Sequence, residues 1–163
     1  MSVPVVVVPD PRVATSQDDL LEQQRCLFEV MGALERTNGL IDKLARIRRQ
    51  TRFWQERGIL EHKLESAERI RAAVDATLPK LIDVNIHEAQ LYPSGLHEKL
   101  NALFDSVDSA DYAPPQQARD VFVQLVAELD EIEAGLSSEL GSVIQEFNDA
   151  LASSGTQAID TLE

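Results

Sequence analysis

From Pro114 to Ala152 the chain reads PPQQARDVFVQLVAELDEIEAGLSSELGSVIQEFNDALA, and this stretch decides the fold. Phe122, Leu125, Leu129, Ile132, Leu136, Leu140, Val143 and Phe147 recur at spacings of three and four. That spacing gathers them on one stripe of an α-helix and leaves Asp130, Glu131 and Glu133 on a solvated face. Pro114 and Pro115 suit a helix start, where a missing amide proton costs nothing. Ser153-Ser154-Gly155 ends the helix, and residues 154–163 read as a frayed tail. A stripe this long needs a partner of similar length.

The segment from about residue 16 to 56 supplies it. Thr15 or Ser16 can cap a helix there, and Asp18 and Asp19 put negative charge in its first turn. Leu20, Leu27, Leu34 and Ile41 recur every seven residues, with Met31 between them, and the stripe goes on through Leu44, Ile47, Thr51 and Trp54. At 1.5 Å per residue this helix is roughly 60 Å long. The heptad phase survives Asn38-Gly39, so the helix is expected to be continuous despite two glycines. Gly58 permits a reversal. Leu60, Leu64, Ala67, Arg71, Val74, Leu78 and Leu81 then form a second seam, in which Arg71 is discordant. Pro79 should kink its last turns, and 85–92 reads as irregular. Leu96, Leu100, Leu103 and Val107 face one way in a third helix, with Ser94 as its expected cap.

The expected architecture is all-α: an elongated antiparallel bundle of three to four helices with coiled-coil-like packing. The two shorter helices together span one long neighbour. A short extended strand precedes the bundle. The organisation is a 1–13 arm, a 14–153 bundle and a 154–163 tail. Aromatic residues make up only 5% of the chain, which suits a bundle of aliphatic seams better than a β-sandwich.

The net charge of −13 is unevenly placed. Residues 1–100 carry 14 basic and 15 acidic side chains, whereas 101–163 carry Arg119 against 13 carboxylates. This acidity disfavours nucleic acid and anionic membrane as partners. It also places the acidic last helix beside the basic end of the first. No apolar run reaches the roughly 20 residues of a membrane span, and no signal peptide is recognisable.

No motif for catalysis stands out. Gly-x-Ser-x-Gly, a phosphate loop and a dinucleotide fingerprint are missing from the sequence. His62, His87 and His97 lack the i, i+4 pairing of a zinc protease and the Glu-x-x-His of a di-iron bundle. They read as surface histidines, so no metal or cofactor is expected. Cys26 is flanked by Glu22 and Glu29 and reads as a small core hydrophobe rather than a nucleophile. The sharpest local feature is the basic run Lys43, Arg46, Arg48, Arg49 and Arg52, extended by Arg57. Helix-dipole and bundle salt-bridge roles are its first reading; beyond them it is the candidate interaction patch for a protein or an anionic polymer.

Several short segments in order carry a family resemblance. They are Val-Val-Pro-Asp-Pro-Arg-Val (7–13), Ser16 to Leu20, Asn38 to Leu44 with Arg46 to Arg49, Tyr92 to Leu103, and Asp108 to Gln117. Together they resemble the C-terminal helical region of large bacterial proteins with sortilin-like or BNR-repeat β-propellers, commonly labelled glycosyl hydrolases. The resemblance implies that Val3 to Val8 is the last strand of a preceding β domain. It implies no catalytic residue here, since the propeller would hold the site. Proteins of that kind are often exported. The expected role is a non-catalytic packing or interaction module, binding the parent's β domains or a second copy of itself. The alternatives are a substrate-contacting part of a glycan-processing hydrolase, and an independent acidic helical adaptor or chaperone-like protein.

Overall fold

The computed structural model describes residues 3–6, 8, 10–12, 14–57, 64–83, 95–153, 155, 158, 159, 161 and 162. Within them lie four helices: α1 (Gln17–Glu56), α2 (Leu64–Leu81), α3 (Leu96–Asp108) and α4 (Gln116–Ser153). No strand occurs among the described residues.

Helix α1 starts on a capping box. Ser16 Oγ accepts from Asp19 N at 3.1 Å, and Ser16 N donates back to the Asp19 carboxylate at 3.2 Å. Both amides would otherwise be orphans of the first turn. The helix then runs 40 residues without a break at Asn38-Gly39. Helix α3 begins at Gly95. A Cβ there would lie 2.9 Å from Asp83 N and from Ile82 Cα, so only glycine lets the end of α2 approach this closely. The N-cap is Gly95, with no side-chain cap bond, rather than the expected Ser94, which lies outside the described residues.

Helices α1 and α4 each pack against both α2 and α3. Their directions follow from the ion pairs. Arg119 of α4 meets Glu22 of α1, and Glu133 of α4 meets Arg36 of α1; both pairs are 97 positions apart. A constant offset means that α1 and α4 run parallel. Gln23, near the start of α1, bonds to Val107 at the end of α3, while Arg48, far along α1, pairs with Asp75 of α2. Helices α2 and α3 therefore return antiparallel to both long helices, one after the other. The bundle is up, down and up, with the shorter pair spanning the length of each long helix.

The core registers differ in detail from the periodicity. On α1 the buried line is Cys26, Val30, Ala33, Thr37, Leu44, Ile47 and Thr51. Leu20, Leu27, Leu34 and Ile41 are half-buried at its margin, and Met31 is 49% exposed. Small residues at the centre of the seam let α2, α3 and α4 come close, and the leucines close the edges of the contact. On α2 the buried line is Ala67, Ile70, Val74, Thr77 and Leu81, so Ile70 fills the place that the pattern assigned to Arg71, which is exposed. Helices α3 and α4 bury Leu96, Leu100, Leu103 and Val107, and Leu125, Leu129, Leu136, Leu140, Val143 and Phe147, while Phe122 and Ile132 of the α4 stripe are half-buried.

Two terminal segments depart from expectation. None of the described residues of the valine arm is in a strand, and Val3, Val5, Val6 and Val8 are 74–84% exposed. A strand needs a ladder partner for its amides and carbonyls, and the bundle offers none. In the tail, Ile159 is buried, although the sequence suggests fraying. Its N–H donates to Asn148 Oδ1 at 2.8 Å, its carbonyl accepts from Asn148 Nδ2 at 3.1 Å, and Leu162 packs against the core.

Candidate functional site

The basic run does not form one patch. At 100° per residue its side chains wind around α1. Arg48 Nε pairs with Asp75 Oδ1 of α2 at 2.9 Å. Arg52 Nε pairs with Glu56 Oε1 of its own helix at 2.7 Å, and that hydrogen bond raises the Arg52 pKa. Lys43 and Arg46 face a shallow cleft between α1 and α4, with Arg36, Leu40, Glu133 and Ser137. Arg46 also borders a cleft toward α2, where it meets Arg48, Arg49 and Leu78.

The acidic last helix does lie along α1, but its carboxylates take Arg36, upstream of the run. Arg36 Nη2 reaches Asp130 Oδ1 at 2.7 Å and Glu133 Oε2 at 2.8 Å. Hydrogen bonds to Asp130 first, then Glu133, raise the Arg36 pKa. Asp75 lies closer to Arg48 because α2 passes directly beside the second half of α1.

Cys26 is buried, and burial pushes its thiol pKa up despite the charge of Arg119. The neutral thiol therefore dominates at pH 7, which suits a packing residue. His97 Nδ1 lies 3.2 Å from Glu98 Oε1, and both ring nitrogens lie near Asn101 Nδ2. Glu98 in turn accepts from Asp83 N at 3.1 Å, so this group ties the α2 end to α3. His62 and His87 lie outside the described residues. No metal-binding cluster occurs among the described residues, and none of the described helices is long and apolar enough to cross a membrane.

The surface most unlike ordinary solvent-facing helix is the outer face of α1, opposite its core line. Leu21 (49%), Phe28 (62%) and Met31 (49%) are exposed there. Phe28, Met31 and Leu34, with Glu35 and Asn38, border a hollow beside Gly32 and Gly39. Added Cβ atoms at either glycine would meet nothing within 4 Å. Farther along the same face Phe53 is 43% exposed, stacked edge-on to Trp54 at 4.7 Å, with the Arg57 guanidinium 4.2 Å above its ring. The periodicity contains this face: Leu21, Phe28 and Met31 follow a four-three spacing through Gln24. It runs one position after the heptad of Leu20, Leu27 and Leu34, and the line that turns inward is neither of these but Cys26, Val30, Ala33 and Thr37.

No family model matches the sequence, and neither a curated protein nor a solved structure matches it, so nothing in these comparisons links the chain to propeller-bearing proteins.

Proposed function

We propose that this chain is a helical interaction module whose work is to bind protein. One observation carries the reading: the outer face of α1 keeps Leu21, Phe28 and Met31 about half exposed or more, with Phe28 and Met31 bordering a hollow. Single exposed hydrophobes are ordinary, but a contiguous row of large ones marks a contact surface. The arginines around the second half of α1 would set orientation and encounter rate rather than supply most of the affinity.

A second observation supports a narrower reading. The valine arm leaves four β-branched side chains exposed, which suits addition to the edge of a β-sheet. On that reading the module packs against a β domain, as the helical tail of a propeller-bearing protein would.

Photo-crosslinking tests both. A benzoylphenylalanine placed at Phe28 or at Val6 should form protein adducts in the cells that express the chain. Adducts at Phe28 support the interaction surface on α1, and adducts at Val6 mapping to a β domain support the narrower reading. A well-folded chain that yields no protein adduct from either position overturns the proposal.

A further inference from the structure

The order of residue types along the outer face of α1 is self-complementary when reversed. From the N-terminal end it runs apolar (Leu21, Phe28, Met31), acidic (Glu35, Asp42), basic (Arg46, Arg49) and apolar (Phe53), all exposed. The face is a continuous four-three stripe of roughly 48 Å at 1.5 Å per residue. A half-turn about an axis beside the helix, perpendicular to it and level with Leu40 and Ile41, exchanges Phe28 with Phe53 and Glu35 with Arg46. Aromatic meets aromatic, and acid meets base. Gly39 lies close to the level of the axis, where its missing side chain leaves room for the partner helix. Parallel pairing of the same faces would set Glu35 against Glu35 and Arg49 against Arg49, which is repulsive.

We propose that the partner of this face is a second copy of the chain, paired antiparallel through α1 in an isologous two-fold dimer. The proposal rests on the interaction-surface reading and names its occupant. In an isologous contact each cross-pair occurs twice, so Phe28–Phe53 and Glu35–Arg46 both count double. The aromatic pairs exclude water at the two ends, and the charged pairs between them fix register and direction. Helix α4 contributes no residue to this stripe and borders it only along the cleft that Gly39 and Arg46 line.

Sedimentation equilibrium of the full chain tests the proposal, with thermal melts showing that each variant is folded. The wild type should show a species of twice 18.1 kDa. Phe28→Asp should weaken association about ten-fold or more, because a desolvated carboxylate replaces an aromatic anchor. Glu35→Arg alone should also weaken it, by setting arginine against arginine. Combining Glu35→Arg with Arg46→Glu in one chain should restore it, because the swapped charges again meet their opposites. That rescue distinguishes the antiparallel register from any other dimer. A chain that stays at 18.1 kDa up to about 100 μM, well above ordinary dimer affinities, overturns the proposal. A dimer indifferent to Phe28→Asp and to the charge swaps overturns it as well. A monomer that still crosslinks from Phe28 to a different protein sinks self-pairing and leaves the interaction-surface reading standing. A monomer without crosslinks sinks both.

Discussion

The side chain of Gln23 closes the far end of α3. Its Nε2 donates at 2.7 Å to the carbonyl of Val107 and at 2.7 Å to that of Ala110, 84 and 87 positions away. The last carbonyls of a helix lack partners within it, and a buried one needs a donor from elsewhere. Gln23 is that donor, and it is itself buried. One amide thus joins the start of α1, the end of α3 and the turn that leads into α4.

Replacing Gln23 with leucine keeps the volume roughly constant and removes both bonds. The two carbonyls then lose their donor, which should cost about 1–3 kcal/mol in urea-induced unfolding. Amide exchange should rise at the α3–α4 connection before it rises elsewhere. Unchanged stability and unchanged exchange would show that the latch contributes nothing.

Thr51 predicts the opposite sign. It is 1% exposed, and its Oγ1 has no hydrogen-bond partner. Thr51→Val has nearly the same shape and a similar helix propensity, and it removes an unpaired buried hydroxyl. The variant should unfold about 1 kcal/mol later in denaturant than the wild type. A loss of stability would mean that the hydroxyl is satisfied in solution.

Asn148 holds the tail by two backbone bonds to Ile159. In Asn148→Ala the Ile159 amide should exchange with deuterium at the rate of an open chain, while the amides of α3 keep their protection. The helical content measured by circular dichroism should barely change, since the tail adds no helix. Continued protection of Ile159 would place the anchor in Ile159 packing alone.

Arg36 bridges the two parallel helices through Asp130 and Glu133, yet 44% of its side chain is open to solvent. Solvent screening limits such a pair, so Arg36→Gln should cost only about 0.3–1 kcal/mol in low salt. At 1 M salt the Debye length is about 3 Å and the difference should shrink toward zero. A loss that is equal at both ionic strengths would assign the effect to packing of the arginine stem.

The helices and their order were legible because each carries its own signal. Ser16 with Asp19 marks the start of α1, the paired prolines mark the start of α4, and the four-three stripes on α3 and α4 coincide with the buried lines. The stripes on α1 and α2 were read less well. Leu20, Leu27, Leu34 and Ile41 repeat more conspicuously than Cys26, Val30, Ala33 and Thr37, but the second set is buried. Hydrophobicity ranks residues by size and polarity. A seam contacted from several sides selects instead for small residues that let neighbours in. On α2 the reason is different: the adjacent Ile70 takes the core position because burying the Arg71 guanidinium would need a paired partner. The pairing of charges was the least legible: an acidic C-terminal region and a basic run suggested one contact, yet Arg48 pairs with α2, Arg52 with its own helix, and the carboxylates of α4 take Arg36.

By itself, then, the sequence determined that the chain is a helical bundle, since periodicity and capping act within a few residues of each position. Only the tertiary structure decided that α1 and α4 run parallel, that Gln23 and Asn148 serve as latches across 84 and 11 positions, and that Leu21, Phe28 and Met31 face outward. Those outcomes depend on which helix faces close against one another. The choice between two adjacent stripes of similar hydrophobicity is made by the shapes of the neighbours, which no local window of the chain contains.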